Sequence, residues 1–116
     1  MRAVQILSLL LLLASVALSQ EVICGKVVSV SDGDTITVLT PEKTQIRVRI
    51  AFVDCPESHQ PFGARAKQAM SALVFGKEVE LGTQGKDRYG RVLALVYLDG
   101  TDVGLEMIKI VLAWPY

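Results

Sequence analysis

Residues 26–53 read KVVSVSDGDTITVLTPEKTQIRVRIAFV, and the pattern of that stretch decides the architecture. Lys26 to Val30 is rich in valine, and Thr35 to Leu39 is a second β-branched run. Between them stands Asp32-Gly33, a dipeptide suited to a tight hairpin turn with positive φ. A looser turn at Pro41-Glu42-Lys43 leads into a third strand, Gln45 to Val53. Within it Ile46, Val48 and Ile50 fall on one face, and Arg47 and Arg49 on the other. Pro56 ends the run, because proline cannot donate to a ladder.

Toward the C-terminus a helix is predicted from near Pro61 to Phe75. Phe62, Ala66, Ala69, Met70 and Leu73 form its apolar stripe, and Gly76 its C-terminal cap. Strands follow at Glu78 to Leu81 and Val92 to Leu98, then a turn at Asp99-Gly100. A second helix is predicted from Asp102 or Val103 to about Ala113, with Val103, Met107, Ile110 and Trp114 on one face. Tyr97, Phe75 and Trp114 read as core residues. The order β-β-β-α-β-β-α gives a mainly-β α+β domain. As an open sheet, its short strands would leave unpaired edges. Curling into a five-stranded barrel closed by a helix removes them, which describes an OB-fold; a different small α+β sheet is the alternative.

Toward the N-terminus, residues 1–19 read as an export signal rather than as part of the domain. Arg2 supplies the positive start and Ile6 to Leu18 an uncharged apolar run. Ala17 and Ser19 are small residues suited to a cut before Gln20. The run is shorter than the ~20 apolar residues of a membrane anchor. The expectation is a single domain over residues 20–116, secreted or periplasmic, monomeric, and without stable membrane association after cleavage.

The full chain has 12 basic and 12 acidic residues, so loss of Arg2 leaves the mature part slightly acidic. Nucleic-acid binders are usually basic, so any attraction for phosphate must come from local clustering of arginines and from a bound cation. The two cysteines, Cys24 and Cys55, could pair in an exported protein or stand as free thiols. With no C-x-x-C spacing, a zinc site is not indicated.

Three segments concentrate chemistry-bearing residues at strand ends: Ser31 to Thr35, Arg49 through Asp54-Cys55-Pro56-Glu57, and Asp87-Arg88-Tyr89-Gly90-Arg91. Carboxylate oxygens are hard ligands for Ca²⁺ or Mg²⁺, arginine forks pair with phosphate oxygens, and a further carboxylate can take a proton from water. Together these are the parts that phosphodiester hydrolysis needs. Asp32 reads as a turn residue, Arg47 as an exposed strand residue, and His59 as an exposed loop residue without a catalytic part. Arg49 and Asp54 have opposite parity on a regular strand, so sharing a pocket demands a bulge or break between them.

In that order and spacing, the three segments resemble the staphylococcal nuclease family, over Lys26 to Tyr116. The resemblance implies an OB barrel that hydrolyses DNA, RNA or both with Ca²⁺, leaving 3′-phosphates. It assigns Asp34 and Asp54 to the metal, with Cys55 offering its backbone carbonyl. It makes Glu57 the residue that activates water, and Arg49 and Arg91 the holders of the scissile phosphate. It gives Arg88, Tyr89 and Tyr116 to substrate binding. Family domains continue with another helix, so the resemblance also implies a C-terminally short domain of limited stability. The alternatives are a module that binds single strands without cutting, and an inactive truncated nuclease.

Overall fold

The computed structural model describes residues 21–110 and 112–115; the expected export signal and Tyr116 lie outside them. The elements run β1 (Val22–Asp32), β2 (Thr35–Leu39), β3 (Gln45–Ile50), β4 (Val53–Asp54), α1 (Gly63–Val74), β5 (Glu78–Lys86), β6 (Val92–Leu98), β7 (Thr101–Asp102), α2 (Val103–Lys109) and β8 (Trp114–Pro115). β1 lies between β2 and β5, with β3 beyond β2 and β6 beyond β5, all antiparallel. A parallel pairing of β3 with β6, Val48 opposite Val92 and Ile50 opposite Ala94, closes these five strands into a barrel. Closure gives the edge backbone groups of β3 and β6 partners that an open sheet would leave to solvent. The architecture is the expected mainly-β OB barrel with two helices.

The alternation read in the strands becomes the barrel interior. Ile36, Val38, Val48, Ile50, Leu81, Ala94 and Val96 are buried there. α1 covers one side of the core with Ala66, Met70 and Val74, spaced one turn apart and fully buried. α2 adds Val103 and Met107.

β1 and β5 are longer than predicted. β1 bears bulges between Val27 and Ser29 and between Val30 and Asp32, and the polar end of β5, Thr83 to Lys86, is strand because it pairs with β6. Partner backbone, not local apolar content, makes those residues extended. α2 ends before the predicted Ala113, because Leu112 N–H reaches back to Met107 O and Trp114-Pro115 turns out to pair with β4. Phe62 and Phe75, expected in the stripe and the core, flank α1 at 65% and 56% exposure.

The β1–β2 turn also differs in kind from the expectation. Asp32 pairs with Thr35 across a two-residue loop, Gly33-Asp34, and Gly33 does not take a positive φ. Glycine stands there for space. A Cβ would lie 2.8 Å from Ala66 Cβ and 3.1 Å from Cys55 Sγ. The missing side chain lets α1 and the β4 end press against the hairpin that carries Asp34.

Candidate active site

The break that the parity of Arg49 and Asp54 demanded lies at Ala51-Phe52, a turn between β3 and β4 in which Phe52 has φ of 66°. The reversal carries the chain around the Arg49 side chain. Arg49 Nη1 donates to the Ile50 carbonyl at 2.6 Å and to the Val53 carbonyl at 2.7 Å, and Nη2 donates to Asp54 Oδ1 at 3.1 Å. The same Nη2 lies 3.5 Å from Asp34 Oδ2. Arg49 is therefore held by its own turn, between the two carboxylates expected to bind metal.

Asp34 is buried at the hairpin tip. It accepts from Thr35 Oγ1 at 3.0 Å and from the Cys55 backbone N–H at 3.1 Å. Burial pushes its carboxyl above the ordinary value, and the nearby Asp54 charge adds to this. Arg49, Thr35 and Cys55 N–H pull the other way without cancelling it. Carboxylate oxygens are hard ligands that suit an alkaline-earth ion. Among the described residues no three Asp, Glu, His or Cys side chains converge as a metal cluster.

Cys55 is buried, and burial, with Asp34 next, pushes its thiol up to about 12. It stays neutral, which leaves its backbone as the part able to serve a cation. Cys24 is exposed, and both thiols are free.

Glu57 follows β4 in a compact loop. Its backbone N–H donates to Gln60 Oε1 at 2.8 Å, and its carbonyl accepts from Gln60 N–H at 2.8 Å. Gly63 packs so tightly on that carbonyl that a Cβ would lie 1.7 Å from it. Ser58 fastens the loop to the hairpin: its N–H donates to Asp32 Oδ1 at 2.9 Å, and its hydroxyl donates to Asp32 Oδ1 and to the Ser31 carbonyl. Asp32, expected to serve the turn, instead clasps this loop. The Glu57 side chain is largely exposed, with His59 Nε2 3.4 Å from its Oε2.

Arg91 arrives from a third segment. Asp87 accepts from Arg91 Nε at 2.7 Å through Oδ2, and from the backbone N–H groups of Tyr89 and Arg91, both at 2.9 Å, through Oδ1. Desolvation is the largest single influence on Asp87 and raises its pKa. These hydrogen bonds and the Arg91 charge together outweigh it and hold the carboxyl below its ordinary value. Arg91 Nη1 reaches Thr35 Oγ1 at 3.4 Å, so Thr35 links Arg91 to Asp34. The Arg88 and Arg91 guanidiniums each lie 5.5 Å from the Tyr89 ring centroid.

Asp34, Arg49, Asp54, Cys55, Glu57 and Arg91 line one cavity of about 370 Å³. Beside it, a cavity of about 590 Å³ shares Arg49, Asp54 and Arg91 and adds Arg88 and Tyr89. The structure thus gathers every expected site residue except Tyr116, which lies outside the described residues. Sequence reasoning gave no role to Thr35, Gln60 or Asp87 and placed Trp114 in the core, whereas Thr35, Gln60 and Trp114 line the smaller cavity and Asp87 the larger. Only Asp87 carried a local signal, an aspartate opening a turn four residues before an arginine.

A family model described as "Staphylococcal nuclease homologue" matches residues 47–116, the span from β3 through Asp54, Glu57 and Arg91. The chain belongs to that family. An uncharacterized endonuclease of Haemophilus influenzae is 45% identical over 116 residues, covering 99% of this chain and 65% of its own. A micrococcal nuclease of Shigella flexneri is 43% identical over 101 residues, covering 79% of this chain and 58% of its own. An uncharacterized endonuclease of Escherichia coli is 42% identical over 93 residues, covering 79% and 60%. The chain therefore spans roughly three fifths of the length of these nuclease relatives.

Proposed function

We propose that this chain is a metal-dependent phosphodiesterase that cuts DNA, RNA or both. The observation that carries the reading is the single cavity onto which Arg49 and Arg91 converge beside Asp34, Asp54 and Glu57. Its residues suit Ca²⁺, with Asp34, Asp54 and the Cys55 carbonyl as the oxygens that would hold it. A bound divalent ion would offset the repulsion between carboxylates and phosphate and polarise a phosphoryl oxygen.

The chain's own residues do the rest. Arg49 and Arg91 present N–H donors to the phosphate's non-bridging oxygens, where negative charge grows in the transition state. Glu57 orients a water and accepts its proton as the water oxygen attacks phosphorus. The P–O5′ bond breaks, the 5′ oxygen takes up a proton from solvent, and the phosphate remains on the 3′ side. Arg88 and Tyr89 meet a neighbouring phosphate. The N-terminal pattern of residues 1–19 supports an exported protein, secreted or periplasmic.

Digestion of plasmid DNA and of RNA, with Ca²⁺ or with chelator, tests the reading. The unaltered chain cuts only with the ion, and Glu57→Gln lowers kcat on the order of a hundredfold or more. Equal cutting by both proteins would remove Glu57 from the mechanism. Binding without cutting would make the chain a nucleic-acid-binding module.

A further inference from the structure

Thr35 opens β2, in register with Asp32 of β1 on one side and Arg49 of β3 on the other. It is 2% exposed. A buried hydroxyl needs partners, and side-chain hydrogen bonds mostly go to backbone or water. Here both partners are side chains of the site. Oγ1 donates to Asp34 Oδ1 at 3.0 Å and accepts from Arg91 Nη1 at 3.4 Å. The direction is forced: an ionised carboxylate only accepts, a guanidinium only donates, and a hydroxyl does both at once.

The same contact sorts the five N–H donors of Arg91. Nε gives its proton to Asp87 Oδ2 at 2.7 Å, and Nη1 is turned to Thr35. Among the described residues none accepts from Nη2. Thr35 and Arg91 both line the 370 Å³ cavity. The 3.4 Å separation is long for an N–H···O bond, and such bonds commonly tighten once substrate is in place.

We propose that Thr35 is a positioning residue for the phosphate grip, its hydroxyl setting the angle of the Arg91 guanidinium and tying it to Asp34. The proposal rests on the phosphodiesterase reading above. Held by Asp87 alone, the guanidinium can pivot about its Nε contact. The second contact stops the pivot and leaves Nη2 for a phosphate oxygen before one arrives. Negative charge on that oxygen grows in the transition state, so a misplaced donor costs more there than in the ground state. The β-branch of threonine restricts χ1, which keeps the hydroxyl aimed.

Thr35→Val keeps the shape and the β-branch and removes the hydroxyl. In digestion with Ca²⁺ it should lower kcat on the order of tenfold, with KM within about twofold. Thr35→Ser restores a hydroxyl and should recover most of the loss. Because Thr35 acts through Arg91, adding Thr35→Val to Arg91→Ala should lower kcat by no more than about twofold. Equal losses with and without the Arg91 side chain, or Thr35→Ser as slow as Thr35→Val, would overturn the assignment.

A second readout needs no cutting. A guanidinium held at both Nε and Nη1 does not turn freely about its Nε–Cζ bond, so its two Nη groups give separate nitrogen resonances. Those of Arg91, identified by their loss in Arg91→Lys, should be separate in the unaltered chain, merge in Thr35→Val and separate again in Thr35→Ser. Merged resonances in the unaltered chain, or separate ones in Thr35→Val, would count against the hold. Should Thr35→Val fail to fold, Thr35→Ala takes its place in both measurements.

The two readings fail separately. Chelator-sensitive cutting with kcat unmoved by Thr35→Val removes Thr35 from the grip and leaves the enzyme. Hydroxyl-dependent Arg91 resonances in a chain that never cuts remove the enzyme and leave the hold of Thr35 on Arg91.

Discussion

At the scale of single residues, the site works against the fold. The Asp34 carboxyl is held above its ordinary value, chiefly by burial. As pH rises past that ordinary value, the unfolded chain gives up this proton while the folded chain still holds it. Stability therefore falls through the window up to the raised folded-state pKa and stays lower above it. Asp34→Asn should remove that fall. Without divalent ions, the variant should melt at a higher temperature than the unaltered chain near neutral pH, while cutting drops on the order of a hundredfold. Thermal unfolding at several pH values checks this; a variant with the same pH profile as the parent would show that the buried charge costs the fold nothing. In the sequence its hairpin position was legible, and the family resemblance grouped it with Asp54 and Cys55. The nearby Arg49, Thr35 hydroxyl and Cys55 N–H could not be assigned to it, because Cys55 is twenty-one positions away and reaches Asp34 only through packing.

At the scale of elements, the loop from Glu57 to Gly63 is held by hydrogen bonds of its own and by a clasp to β1. Ser58 and Asp32 contribute nothing to the core, yet they tie the segment that bears Glu57 to the hairpin that bears Asp34. Ser58→Ala removes the hydroxyl bonds and leaves the backbone N–H bond. It should lower kcat roughly fivefold, by about 1 kcal/mol, with KM little changed. Ser58→Thr, which restores a hydroxyl, should recover most of the loss. A kcat equal to that of the unaltered chain would mean the remaining bonds position Glu57 alone. Sequence reading found the hairpin but gave Asp32 to its turn, since an aspartate before glycine is a local turn signal and a partner twenty-six residues on is not. Helix α1 was legible nearly to its ends, because its buried positions repeat at the helical period. The last predicted turns of α2 were not legible as strand, because Trp114-Pro115 is extended only through its pairing with β4.

At the scale of the whole molecule, three sequence segments meet because the barrel closes. The β1–β2 hairpin delivers Asp34 and Thr35, β3 delivers Arg49, β4 delivers Asp54, and the loop before β6 delivers Arg91. A cation taken up there binds the folded chain and not the separated segments, so it should stabilise the whole domain. At a hundredfold excess of Ca²⁺ over its dissociation constant the gain is about 2.7 kcal/mol, which is on the order of 10 °C in Tm for a domain this small. Asp54→Asn should lose most of that rise. A Tm indifferent to Ca²⁺ in the unaltered chain would argue against a metal held at these carboxylates.

The strands, the helix over the core and the set of residues able to act on a phosphate were determined by the sequence itself. Alternation, helical period and the chemistry of carboxylate and guanidinium are local properties that each segment carries alone. The pairing of β3 with β6, the break at Ala51-Phe52, the clasp of Asp32 on Ser58 and the place of Trp114 at the cavity mouth were decided only by the tertiary structure. Each depends on which distant backbone or side chain supplies the partner for a polar group, or the space for a bulky one, and that is settled when the whole barrel packs.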